Sequence, residues 1–424
     1  MRLLFPIKYQ RHGGVERVIV SLLQELCEQV ECLVVLLPVQ KKDYFQRLLP
    51  DDAKIIFVTP QLSQQTPQSS LINWGYRLRK LLKQLQLNDF AQRLDARLEA
   101  YRYECIVNTL IEQYQISHCL YAINNRIPVP KVKVPLAAIS YDLFWHFSPV
   151  SFPSEVIEDY DRYLLDWLQH SDRLISISEQ NRQDVLKIFP EYPHKIISVP
   201  LSGFLSGSLP QLEMSPESSP VFYFPSSFAI YKDHLNLLNA IANLAVRGYR
   251  FKVILSGRFT DLLARADFPA LVEKNGTEEY QNYLSKIKAI HHAHPNLFAD
   301  YLDGLGYAEL IDVEKAYARC NCVIFPSQFE GFGLAVSEAV VRGIPAVISD
   351  LPVLLEQVEL YNCADLVRVF PAGNPEKLIE QMQGVLEQPV ARLDEPTIQS
   401  RFGHWTWTAV AKQYLAQLDS LSQS

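Results

Sequence analysis

The stretch from Val323 to Asp350, V-I-F-P-S-Q-F-E-G-F-G-L-A-V-S-E-A-V-V-R-G-I-P-A-V-I-S-D, constrains the fold more than any other part of the chain. Val323–Phe325 is an apolar run closed by Pro326, the pattern of a buried strand and its end. Gly331 and Gly333 bracket Phe332 and allow a tight backbone that can come close to a ligand. Leu334–Arg342 has helical spacing and is stopped by Gly343 and Pro345, and Ala346–Ile348 returns as a second apolar strand. The unit predicts a parallel sheet, which binds its ligands beyond the carboxyl ends of the strands.

The loop carries Glu330 before the glycines and Glu338 just inside the helix. The free N–H groups of the loop and first turn form a site for an anion or a partly charged oxygen. Two carboxylates beside such a site are odd partners for a phosphate but good acceptors for sugar hydroxyls. A nucleotide sugar, joining phosphate to polyol, satisfies both halves. Taken singly, each residue has a plainer reading: Glu338 complementing the helix dipole and Glu330 solvated in its loop.

Taken together, E-G-F-G-L-x-x-x-E from Glu330 to Glu338, preceded by F-P-S and followed by R-G-I-P-A-V, resembles the signature of glycosyltransferase family 4. Members of that family are retaining, have the GT-B fold and use nucleotide-sugar donors. The resemblance implies that Glu330 faces the donor sugar and Glu338 the ribose hydroxyls. It also implies that the amides from Phe332 through Gly333 to Leu334 meet the sugar and diphosphate.

At 424 residues the chain is long for one domain, and two are expected. Hydrophobic residues at 48% and charged residues at 21% describe an ordinary globular protein, and a net charge of −7 argues against nucleic acid as the main partner. No apolar run reaches the length of a membrane span, and Pro6 and Lys8 interrupt the N-terminal run too early for a signal peptide. The seven cysteines show no disulfide framework and no C-x-x-C pair, so reduced thiols and a cytoplasmic location are expected. Cys320 and Cys322 read as alternating along a buried strand. His291, His292 and His294 form a cluster without a spaced metal-ligand partner, read here as a solvated helix end.

Leu3–Ile7 reads as the first strand, followed by Gly13-Gly14 and a helix over Val15–Gln29. A Gly-Gly turn serves equally as plain structure. By the resemblance, Gly13 and Gly14 with V-E-R-V after them match the loop that closes over the donor from the opposite domain. Leu71 to Arg102 reads as helical, with Trp74, Leu78, Leu81, Leu82 and Leu85 on one side and Arg77, Arg79, Lys80 and Lys83 clustered early. Such a stretch can rest on an anionic membrane, but the expected reading is a helix covering its own sheet. Val134–Ser140 predicts a strand that ends at Tyr141-Asp142. The family has His-Asp here, near the acceptor and the reacting carbon. Tyr141 replaces the His, with His146 four residues beyond Asp142, while Asp142 can equally cap a turn.

Ser202–Pro220 is rich in Ser, Pro and Gly and reads as a linker. Val221–Phe224 then restarts the alternation of strands and helices. Where the family carries an Arg and a Lys five positions apart on the diphosphate, this chain has Ser227 and Lys232. Arg258, after the glycine that ends the next strand, is the cation placed to supply part of the missing charge, or a solvated loop residue.

The expectation is an α/β chain with the GT-B fold, two Rossmann-like parallel-sheet domains facing across a cleft. Residues 1–201 form the acceptor side, joined by a C-terminal helix near 405–424 that crosses back, and 221–404 form the donor side. The resemblance assigns Glu330, Lys232 and Asp142 to catalysis and implies transfer from a GDP- or UDP-sugar to a glycan or lipid-linked acceptor, with peripheral membrane contact an open reading. No cofactor is expected, nor a metal, because the cleft-forming loops hold no Asp-x-Asp. The competing readings are a GT-B sugar-nucleotide epimerase and a binding protein that has kept the fold, the latter favoured by Ser227 and Tyr141.

Overall fold

The structure is a computed structural model that describes residues 1–7, 13–60, 67–85, 87–122, 127–148, 150, 152–204, 219–265 and 277–422. Short apolar runs buried on both faces build two parallel sheets, as helix-covered parallel strands require. The first contains β1 (Arg2–Pro6), β2 (Cys32–Leu36), β3 (Ile55–Val58), β4 (His118–Tyr121), β5 (Leu136–Ser140), β6 (Arg173–Ser176) and β7 (Ile196–Ser198). The second contains β8 (Val221–Pro225), β9 (Lys252–Ser256), β10 (Leu302–Gly304), β11 (Cys322–Phe325), β12 (Ala346–Ser349) and β13 (Val367–Phe370). Their spatial orders are β3-β2-β1-β4-β5-β6-β7 and β10-β9-β8-β11-β12-β13. In each sheet the order reverses beside its first strand, at β1/β4 and β8/β11, where a crevice opens beyond the strand ends.

Two large cores fill the spaces between sheets and helices, one around each sheet. The C-terminal helix Trp407–Leu421 belongs to the first: Trp407, Val410, Ala411, Tyr414 and Leu418 are buried in that core. Arg173 on β6 donates to the Gln417 carbonyl and side-chain oxygens at 3.1 and 2.7 Å, and Thr408 donates to Glu25 at 2.7 Å. The chain therefore crosses between the two sheets twice.

Four expectations change. Leu71–Arg102 is helical, as expected, but divided between two helices, Pro67–Gln84 and Asn88–Tyr114. The shorter does not cover the sheet: it packs on the longer, and Trp74, Leu81 and Leu85 stay exposed while Leu78 and Leu82 are half-buried. Cys320 closes the helix Leu310–Arg319, and only Cys322 lies in the strand β11, though both are buried. His291 is not solvated: its ring packs 4.5 Å from that of Phe298, and burial pushes it down to about 4. Of the expected linker, residues 205–218 lie outside the described residues, but its start is fixed. Ser202 is fully buried and donates to the Trp405 carbonyl at 2.8 Å, and a Cβ on Gly203 would lie 2.3 Å from the Ser337 carbonyl. Among the described residues no helix is long and apolar enough to cross a membrane. All seven cysteines are buried and free.

The seat of the C-terminal helix is a measurable part of the first core. Truncating a buried aromatic typically costs about 3–5 kcal/mol. Trp407→Ala, at a position 3% exposed, is expected to lower the urea-unfolding free energy by roughly that amount. A loss below about 1 kcal/mol would mean the helix is not part of that core.

Candidate active site

The loops leaving β8 and β11 meet at the switch point of the second sheet. The Tyr231 carbonyl accepts from the Gln328 amide at 2.7 Å, and the Gln328 side chain donates to Asp233 at 2.8 Å. This tie brings Lys232 to Glu330, where the ammonium donates to Oε1 at 2.5 Å. Both side chains are mostly buried, at 17% and 9% exposure, and the ammonium also lies over the Phe325 ring at 5.6 Å. Burial alone would lower the Lys232 pKa, but Glu330, with Tyr231 and Asp142, outweighs it and holds the ammonium above its ordinary value.

The first sheet supplies the opposite wall. Gly331 presses against the segment that leaves β5: a Cβ there would sit 2.1 Å from the Tyr141 carbonyl oxygen and 2.8 Å from Asp142 Cβ. Only glycine admits that approach. Ser178, which caps the helix Glu179–Ile188, donates to the Gly331 carbonyl at 2.8 Å. Across the same junction, the Glu356 carboxylate accepts from the Glu179 and Gln180 amides at 2.8 and 2.9 Å, satisfying orphan donors of that helix. Asp142 thus joins the pair: burial, the largest effect, and Glu330 lift it to about 6 against the pull of Lys232.

Phe332 is buried in the first-sheet core and Leu334 packs against it, while Gly333 opens the helix Leu334–Val340 at φ +82°. Gln357 donates to the Phe332 carbonyl and, at 3.3 Å, to that of Gly333. Glu338 is 3% exposed and paired twice: Tyr317 donates to Oε2 at 2.7 Å, and Arg17 from the first domain is ion-paired with Oε1. Burial works to lower the Arg17 pKa, and Glu338 together with Tyr317, Tyr223 and Glu314 more than offsets it. Gly13 and Gly14 open the helix that carries Arg17; Gly13 has φ +148°, and a side chain at either would meet open space.

Ser227 and Arg258 also come together, through backbone. The Arg258 amide donates to the Ser227 hydroxyl at 3.2 Å, and its carbonyl accepts from Phe228 at 2.9 Å. The Arg258 guanidinium is exposed and stacked 4.3 Å from the Phe259 ring centroid. Two expected stand-ins are not drawn into the cluster. Tyr141 turns its ring into the first core, and His146 is held by Asp161 at 2.8 and 3.0 Å. Sequence reasoning missed Arg17, Tyr317, Ser178 and Glu356. Arg17 stands within the V-E-R-V already singled out, but nothing local links it to a residue more than 300 positions away. Among the described residues no group of three or more His, Cys, Asp or Glu is placed to hold a metal. A cavity of about 430 Å³ opens at the opposite end of the second sheet, beside Pro220, Asn321, Pro345 and Leu366, away from these groups.

Residues 210–400 match the family described as Glycosyl transferases group 1. Over those residues the chain is similar to glycosyl transferases of group 1. The chain is also similar to the Escherichia coli serotype-specific mannosyltransferase WbdA, 27% identical over 229 residues, covering 49% of this chain and 25% of the relative. The Escherichia coli O-antigen chain mannosyltransferase B is 24% identical over 231 residues, covering 51% and 54%. The chain thus spans about a quarter to a half of these relatives' lengths. A solved glycosyltransferase from Rickettsia africae superposes over 100% of this chain and 99% of its own, with a TM-score of 0.62 at 12% identity. The fold is GT-B, two Rossmann-like domains facing each other.

Two tests follow from the pairing of buried charges. Removing one partner leaves the other uncompensated, and neighbouring substitutions couple. Arg17→Ala is expected to destabilise by roughly 1–3 kcal/mol in urea unfolding. Arg17→Ala with Glu338→Gln should recover most of that, and strict additivity of the two would remove Arg17 as the partner of Glu338.

The raised Asp142 pKa means that the folded state binds its proton more tightly than the unfolded chain does. Its stability contribution is fully present below about pH 4 and is lost as pH rises through about 6. Asp142→Asn should therefore raise the melting temperature above the parent's near pH 8, with the gain fading between about pH 6 and 4. A pH-independent difference would show that Asp142 ionises normally.

Proposed function

We propose that this chain is a retaining, metal-independent glycosyltransferase of the family 4 kind, working in the cytoplasm. It moves a hexose from a GDP- or UDP-sugar to a hydroxyl of a glycan or lipid-linked saccharide, in peripheral contact with a membrane. The observation that carries the reading is the cluster of Lys232, Glu330 and Asp142 where the switch point of the second sheet meets the first domain. The mannosyltransferases among the relatives make mannose the first sugar to test.

In this reading the donor diphosphate draws Lys232 toward itself, and the freed Glu330 accepts from the sugar hydroxyls. Glu338 and Arg17 stand at the ribose end, and the amides of Phe332 to Leu334 lie beside the phosphates. In this reading no side chain acts as a nucleophile, and the reaction runs on one face of the sugar. The bond from the anomeric carbon to phosphate breaks, the acceptor oxygen bonds to that carbon, and the acceptor proton passes to the departing phosphate oxygen. The protein acts mainly by stabilising the charge of the leaving diphosphate. Asp142, on the acceptor wall, accepts a hydrogen bond from the incoming hydroxyl in its ionised form.

The direct test is a panel of GDP- and UDP-sugars, read first by thermal shift, since a ligand bound only by the folded state raises its melting temperature. Labelled transfer to a mixed saccharide pool then follows. No shift and no transfer across the panel would overturn the reading. Within it, Lys232→Ala is expected to depress turnover by roughly 10²–10³, the scale of losing one preorganised donor. Arg258→Ala should do the same if its exposed guanidinium turns onto the diphosphate. Loss confined to the Lys232 variant would leave Lys232 as the leaving group's cation.

A further inference from the structure

The connection from β3 to β4 is a helix pair that the donor crevice does not use. Its helices, Pro67–Gln84 and Asn88–Tyr114, run antiparallel and pack on each other. A Cβ on Gly75 would already touch Leu98, Arg79 pairs with Asp95 at 2.9 Å, and Tyr76 donates to Glu99. The longer helix anchors the pair, placing Ile106, Val107 and Leu110 in the first core. No described residue of the shorter helix joins that core.

The free end of the pair is apolar where a solvated hairpin would be polar. Trp74 is 65% exposed, Leu81 50%, Leu85 60%, Leu87 42% and Phe90 62%. Trp74, Leu81 and Leu85 recur at intervals of seven and four, which sets them on one stripe of the helix, and Leu87 and Phe90 extend it over the tip. Exposed Arg77, Lys80 and Lys83 lie on the same helix and exposed Arg93 on its partner. Residues 67–102 hold seven Lys and Arg against three Asp and Glu, in a chain whose net charge is −7. Apolar stripe and local cationic excess thus share one end of the molecule.

We propose that this tip seats in an anionic lipid surface. Trp74, Leu81, Leu85, Leu87 and Phe90 enter the interface, and Arg77, Lys80 and Lys83 rest on headgroup phosphates. Interfacial helices hold on through these two contributions acting together, insertion of apolar area and attraction to anionic lipid. A second copy of the chain is the poorer occupant. A two-fold contact would set this cationic patch of one protomer against the same patch of its partner. The seat deepens the reading of a membrane-side acceptor, yet it stands on the hairpin alone.

The test uses the full chain with no donor or acceptor present. The chain is sedimented with vesicles of phosphatidylglycerol and phosphatidylcholine, and with vesicles of phosphatidylcholine alone. The parent should pellet with the anionic vesicles at low salt and be released as salt is raised past about 0.5 M, because exposed charges are screened. It should stay in the supernatant with the neutral ones. The variant with Arg77→Gln, Lys80→Gln and Lys83→Gln should bind on the order of 100-fold more weakly, at about fivefold per charge. The variant with Trp74→Ser, Leu85→Ser and Phe90→Ser should lose binding while keeping the parent's melting temperature, since all three side chains are exposed. A parent that stays in the supernatant with anionic vesicles at low salt overturns the proposal. So does an apolar variant that pellets like the parent, or one that instead breaks a dimer seen for the parent in sedimentation velocity. Vesicle binding without sugar transfer would count against the glycosyltransferase reading and leave the seat standing.

Discussion

The cleft depends on how closely two backbones meet at Gly331. Without a side chain there, the loop that leaves β11 lies directly on the Tyr141 carbonyl, and Ser178 fastens it with a hydrogen bond. Glu330 and Lys232 are thereby set beside Asp142, and the helix that follows the loop is carried far enough for Glu338 to meet Arg17. A methyl group at residue 331 would force the walls apart and separate both sets of charges. The close approach and the electrostatics are one constraint.

Charges so enclosed are tolerated only because most of them are matched. Lys232 has Glu330, and Glu338 has Arg17 and Tyr317. Farther from the crevice, Arg342 pairs with Glu314 at 2.8 Å and Lys41 with Glu16 at 3.0 Å. Asp142 shares the one cation with Glu330, and burial, the larger effect, leaves its pKa raised. Buried ion pairs add little net stability, because desolvation offsets most of the attraction. Their benefit is positional: each carboxylate is held at a defined place in a water-poor cleft.

Much of this architecture was legible because parallel strands buried on both faces read as short apolar runs, and glycine or proline marks their ends. Glu330 could be named from its place in the glycine loop, and Lys232 and Asp142 from the resemblance to glycosyltransferase family 4. The cross-cleft partners were not legible. Arg17 and Glu338 meet only through the docking of two domains, which no local pattern records. The break between Gln84 and Asn88 carries no glycine or proline, and Leu87 stands at the next helix start without a side-chain cap, so nothing local marks where the two helices fold back. Amphipathic spacing correctly placed Leu78 and Leu82 toward packing but could not show that the sheet was already covered by the second helix. His291 was misread because its partner, Phe298, lies beyond a turn closed by Asn296 at φ +66°.

The return of the C-terminal helix to the first core bears on the order in which the protein is made. Domains ordinarily fold as they leave the ribosome, N-terminal first. Here the first seven strands emerge with a face of their core uncovered, because Trp407, Val410, Tyr414 and Leu418 have yet to be synthesised. The six-stranded domain, emerging later, finds its own core residues within about 170 positions of one another and can close first. The helix that covers that face, Trp407–Leu421, therefore reaches the first core only after the second domain has been made.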